Sequence, residues 1–123
     1  MSIVARDHVY DHLKQTSISA DITKGTVALV QDCYVFYPQL VDVSVDSTGI
    51  PLYECKQALM DKKTGTGQDI TAGDFLYGDP ADSYKVSKTK GSGYVFLGIA
   101  KNNATSSDTN VLGHFIGWLS SIL

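Results

Sequence analysis

A chain of 123 residues with a formal net charge of −3 is long enough for one hydrophobic core and too short for two independent ones. With 43% hydrophobic and 19% charged residues, disorder of the whole chain is excluded, and the acidic balance excludes nucleic acid as a main partner, because phosphate binding needs Lys and Arg gathered on one face. Seven Tyr, four Phe and eleven Gly set strand formers beside turn formers, and two Cys are too few for a disulfide framework.

The first 24 residues are mixed and polar. Val4, Val9 and Leu13 are spaced for one or two helical turns, at most a short helix near Asp7–Gln15, and Ile18, Ala20 and Ile22 then alternate as a strand does. These apolar side chains are too few to build a core. Residues 1–24 are therefore expected to form an arm that gains order on a neighbouring protein, with Ile3, Val4, Val9, Tyr10, Leu13, Ile18 and Ile22 as its contact residues. The alternating half suits addition to a sheet edge, on its own subunit or another.

From Gly25 to Leu123 short apolar runs are separated by turn signals, the spacing of a sandwich or small barrel. Strands are predicted near Thr26–Val30, Cys33–Tyr37, Val41–Val45, Leu52–Met60, Asp74–Tyr77, Ser83–Ser87, Tyr94–Ala100 and Val111–Leu119. Lys24-Gly25, Gln31-Asp32, Pro38-Gln39, Asp46–Pro51, Gly78-Asp79-Pro80 and Lys90–Gly93 punctuate them. Val41, Val43 and Val45 alternate with Asp42, Ser44 and Asp46, predicting a strand with one wet face. Tyr94–Ala100 is apolar on both sides and reads as a central strand, with Gly98 permitting a bulge or close packing. The fold class predicted is all-β, a small β-barrel with an extended N-terminal arm.

The chain end is unusually apolar. Val111, Phe115, Ile116, Trp118 and Leu119 present more apolar area than the last strand of so small a barrel is expected to hide, so they are expected to form a subunit interface. Cys33 and Cys55 each sit inside a strand-like run and are expected to be buried free thiols. The Lys residues between Lys85 and Lys101 read as a solvated hairpin surface. No basic start followed by an apolar run and a cleavage site opens the chain, and no apolar stretch reaches the ~20 residues of a membrane span. A soluble protein made in the cytoplasm, with no membrane partner, is the expectation.

His8 and His12 lie four apart beside Asp7 and Asp11, but no third ligand follows at a recognisable spacing, so no metal is expected. His114, set among apolar residues, reads as a packed or interfacial histidine. No Gly-x-Ser-x-Gly elbow occurs, and neither Gly65-Thr66-Gly67 nor Gly91-Ser92-Gly93 continues into a phosphate loop. Asp46, Asp69, Asp74, Asp79 and Asp82 are spread through loops, where two of them meeting in space would make a glycosidase pair, and Asp79 with Asp82 around Pro80 lacks the pattern of a calcium loop. The expectation is a non-enzymatic protein without cofactor. Tyr34, Tyr37, Tyr53, Tyr77 and Tyr84 leave a carbohydrate-binding surface as an alternative.

An ordered series of phrases carries a resemblance. It runs from Lys24-Gly25-Thr26-Val27 through Val41-Asp42-Val43-Ser44-Val45 and Ala58-Leu59-Met60-Asp61-Lys62 to Ile70-Thr71-Ala72-Gly73-Asp74-Phe75-Leu76-Tyr77-Gly78-Asp79. Tyr94-Val95-Phe96-Leu97-Gly98-Ile99-Ala100-Lys101 and the polar linker Asn102–Asn110 complete it. In this order, over roughly three quarters of the chain, the sequence resembles the small bacteriophage head decoration, or capsid cement, proteins. The resemblance implies a β-barrel or β-tulip body with a flexible N-terminal arm, often trimeric, on the outside of a phage head. It implies the major capsid protein as partner, a homo-oligomer closed by the C-terminal residues named above, and the virion surface as location. Another phage β-module from a tail, fibre or receptor-binding protein is the alternative.

Overall fold

The computed structural model describes residues 18, 20–30, 33–45 and 51–120. Seven strands run in antiparallel ladders: β1 (Val27–Val30), β2 (Cys33–Phe36), β3 (Cys55–Asp61), β4 (Phe75–Asp79), β5 (Lys85–Ser87), β6 (Val95–Ala100) and β7 (Asn110–Phe115). Short 3₁₀ turns occupy Pro80–Asp82 and Gly117–Leu119. The first two strands form a hairpin, and the others form a five-stranded sheet in the order β3-β7-β6-β4-β5. The all-β expectation therefore holds. β6, apolar on both sides in sequence, is the middle strand.

Alternation gives each strand of the large sheet an inward row. Ala58 and Met60, Val111 and Phe115, Leu76, and Val86 all point into one interior cluster, joined by Val27 and Phe36 from the hairpin. The Phe36 and Phe115 rings lie 5.7 Å apart between centroids and tie the hairpin to the sheet. A second, smaller cluster of Val35, Tyr37 and Val41 covers the hairpin's other face, with Ile18, Ile22, Cys33 and Tyr53 packed against it.

The sheet is rolled. Its outer strands approach at one place, a parallel bridge between Lys62 and Val86, where the Lys63 N–H donates to Val86 O at 3.0 Å. One bridge is not a ladder, so the fully closed barrel of the sequence reading is not reached among the described residues. The roll is helped by a bulge opposite Leu76 and Tyr77, where Leu97 is the extra residue of β6. Gly98 next to it lies against the backbone of His114, where a Cβ would meet the carbonyl oxygen.

Four predicted strands end differently, each for a local reason. Val41–Val45 is not a strand: only Val41 pairs, with Ile22, and the Asp42 carboxylate accepts from both the N–H and the hydroxyl of Ser44 while Val45 N–H donates to Asp42 O. That local turn outcompetes the alternation. In the run from Leu52, the strand begins only at Cys55; Leu52 makes an isolated bridge to Phe36. Ser83 and Tyr84 have φ of 54° and 60°, so they turn the chain out of the 3₁₀ segment before β5 starts at Lys85. The last strand stops at Phe115 because Gly117 begins a 3₁₀ turn that docks on the β2 backbone at Tyr34.

Candidate functional site

The outward row of the large sheet is apolar as well. Leu59 of β3 stands opposite Leu112 of β7, His114 opposite Ile99 of β6, Ile99 opposite Phe75 of β4, and Phe96 opposite Tyr77. None of these belongs to the interior cluster. The Phe75 and Tyr77 rings meet Phe96 edge-on, at 5.3 and 6.1 Å between centroids, and Phe96 is buried beneath them. Leu59 and Phe75, at the two ends of the stripe, remain 52% and 46% exposed. The result is an apolar band across four strands. At its margin the Glu54 carboxylate and the His114 Nε2 lie 2.8 Å apart, each side chain about a third exposed (31% and 32%).

The residues expected to make contacts are placed unequally. Ile3, Val4, Val9, Tyr10 and Leu13, and the helix near Asp7–Gln15 with His8 and His12, lie outside the described residues. Ile18 and Ile22 are half-buried against the chain's own hairpin, and Ile22 exchanges backbone hydrogen bonds with Val41 at 3.0 and 2.8 Å. At the other end, the expected subunit interface is corrected for three residues. Val111 and Phe115 are buried within the chain, because β7 lies between β3 and β6 and turns these side chains into the interior cluster, and Ile116, just past the end of β7, is buried as well. Leu119 is half-buried, and Trp118 is exposed. Cys33 and Cys55 are free thiols, but half-buried rather than buried; burial pushes the Cys33 thiol up.

Asp46 lies outside the described residues, and the described loop carboxylates pair with the protein itself. Asp79 and Asp82 bracket the Lys63 ammonium at 2.8 and 3.3 Å, and that ammonium also lies 5.5 Å from the centre of the Tyr94 ring. The hydrogen bond from Lys63 holds the Asp79 carboxyl below its ordinary range, and the same bond raises the Lys63 ammonium. This cation thus sits between the two carboxylates that flank Pro80, next to the Lys62–Val86 bridge, where the Lys63 N–H donates to Val86 O. Asp69 faces Lys88 at 3.2 Å, and Asp74 accepts from Thr71 N–H at 2.8 Å, so neither forms a carboxylate pair. Lys62 is buried; its ammonium donates to Lys63 O at 2.7 Å and Asp108 O at 3.2 Å, and desolvation lowers its pKa. An open groove of about 470 Å³, with polar and apolar lining, runs between Asp69–Thr71 and Asn103–Asp108. Among the described residues no three His, Cys, Asp or Glu side chains gather as metal ligands, and no helix is long and apolar enough to cross a membrane.

No protein-family model, no curated protein and no solved structure matches the chain. The stripe is the feature that sequence reading missed. Its signal was present in Ala58-Leu59-Met60 and Phe75-Leu76-Tyr77, where both parities are apolar, so that each strand supplies one residue to the interior and another to the outside.

Proposed function

We propose that the chain is a bacteriophage head decoration protein, which binds the major capsid protein on the outer surface of the head and holds neighbouring capsomers together. The observation that carries this reading is the apolar stripe from Leu59 to Phe75 on the outward face of a sheet whose interior is already filled. A binding surface needs a desolvated centre of aromatic and aliphatic side chains within a polar rim. Leu59, Phe75 and Tyr77 supply the first; Glu54, His114 and the exposed Lys56, Asp61 and Lys101 supply the second. The resemblance of the ordered phrases to the decoration proteins supports the same reading, in which residues 1–17 of the arm contact a neighbouring coat subunit.

The test is co-sedimentation with expanded heads stripped of the chain. Burying the open half of Leu59 and of Phe75 contributes about 1 kcal/mol each, so Leu59→Asp with Phe75→Asp weakens binding by roughly thirtyfold while circular dichroism stays that of a folded β protein. Deleting residues 1–17 lowers the affinity further. Wild-type protein that ignores heads overturns the decoration reading; equal binding by the double variant overturns the assignment of the face.

A further inference from the structure

β1 pairs with β2 alone, and among the described residues no strand, bridge or backbone hydrogen bond reaches its other side. The phase of the hairpin says which groups are left. Tyr37 N–H donates to Thr26 O at 2.9 Å, and the register continues through Ala28 opposite Val35 and Val30 opposite Cys33. The carbonyl of Thr26 and the backbone groups of Ala28 and Val30 therefore face β2, while the N–H and C=O of Val27 and Leu29 face outward. The edge carries none of the usual protection. Val27–Val30 has no charge, no proline and no bulge, and the Leu29 side chain is 53% exposed.

We propose that this edge is a self-association site, at which β1 of a second copy pairs antiparallel with β1 about a two-fold axis through Ala28. Val27 then stands opposite Leu29 of the partner subunit, and each such pair exchanges both hydrogen bonds, so every outward N–H and C=O of Val27 and Leu29 is used on both copies. Sliding the register by two residues leaves one of these pairs without a partner inside the strand. The side chains agree with the same register. At the axis the two Cα atoms approach to about 4.5 Å, the close spacing of a non-hydrogen-bonded pair, and the methyl of Ala28 fits there twice. Leu29 lands beside Val27 of the partner subunit on the face that already turns toward the interior cluster, where Val27 is buried.

So short a ladder makes a weak dimer, which is best measured up to about 1 mM protein. Light scattering of the full chain is expected to show a concentration-dependent monomer–dimer equilibrium, with slow hydrogen exchange at the Val27 and Leu29 amides in the dimer. Leu29→Pro removes an N–H that β2 does not use and, through two of the four bonds, raises the dissociation constant roughly thirtyfold. Leu29→Lys, at an exposed position that leaves the hairpin core intact, is expected to dissociate the dimer as well. Protein that stays monomeric at the highest concentration overturns the proposal, whether those amides exchange freely or are protected by another segment of the same chain. So does a dimer that both variants leave unchanged. Failure to bind phage heads leaves it standing, because the test needs no head.

Discussion

Gly117→Ala tests how firmly the end of the chain is docked. Gly117 has no positive φ, so alanine is compatible with its backbone and any penalty comes from contact. A methyl there would press on the Tyr34 carbonyl oxygen and lie 2.7 and 2.8 Å from the Cζ and Cε2 atoms of Phe115, whose ring is fully buried. Neither neighbour yields easily, since one is strand backbone and the other is packed in the interior. Relief requires the 3₁₀ turn to back away from β2, a strain of about 2 kcal/mol. For a chain of this size that lowers the melting temperature by roughly 6–12 °C. Trp118, the only tryptophan, is the next residue and half-exposed, so its fluorescence reports the same displacement. Gly67→Ala is the control: its φ of 82° strains an alanine by about 1 kcal/mol, but nothing lies within 4 Å of the added methyl, and Trp118 emission should not move. If Gly117→Ala melts within about 2 °C of wild type with unchanged emission, the close docking is wrong.

Acid should open the junction at Lys62 and Val86 first. The Asp79 carboxyl is held low by Lys63, so its contribution to stability is present above its unfolded pKa of about 3.9 and is lost as pH falls through the lower folded value. Native-state hydrogen exchange should then accelerate at the Lys63 amide below about pH 4 while the β6–β7 ladder stays protected, and Asp79→Asn should produce that acceleration at neutral pH. Phe115→Ala should lower stability in urea unfolding by about 3–5 kcal/mol, whereas Trp118→Ala should cost under about 1 kcal/mol; comparable losses would contradict the assignment of Phe115 to the core and Trp118 to the surface.

Much of the architecture was legible because alternation and turn chemistry agree. Cys33–Phe36 and Val95–Ala100 emerge almost as read, and the two-sided apolar character of the latter follows from its place at the centre of the sheet. Val41–Val45 misled because alternation ignores the competing hydrogen bonds that Asp42 offers Ser44. The apolar chain end misled for another reason. A strand paired on both sides can bury Phe115 completely, and no counting of apolar residues reveals how many neighbours a strand has. Lys62 carries the same lesson with opposite sign. Its charge argues for exposure, yet it is buried because two backbone carbonyls, of Lys63 and of Asp108 far along the chain, converge on its ammonium. Such convergence exists only once the sheet has rolled.

The two proposed surfaces do not compete for space or for residues. The stripe from Leu59 to Phe75 lies on the outward face of the large sheet, whereas the hairpin that carries β1 packs its Val27 and Phe36 into the cluster on the inward face. A chain held to a large assembly by the stripe thus leaves the β1 edge, unpaired among the described residues, available to a second copy. The linkage has a thermodynamic consequence. If the stripe attaches the chain to a capsid lattice, a β1 dimer too weak to persist in dilute solution forms where the lattice raises the local concentration, and each copy then strengthens the attachment of the other. Substitutions at Leu29 should then weaken binding to heads without touching the stripe, and substitutions at Leu59 and Phe75 should leave the dimer equilibrium unchanged. Loss of the dimer equilibrium from the Leu59 and Phe75 substitutions would mean that the two surfaces are one.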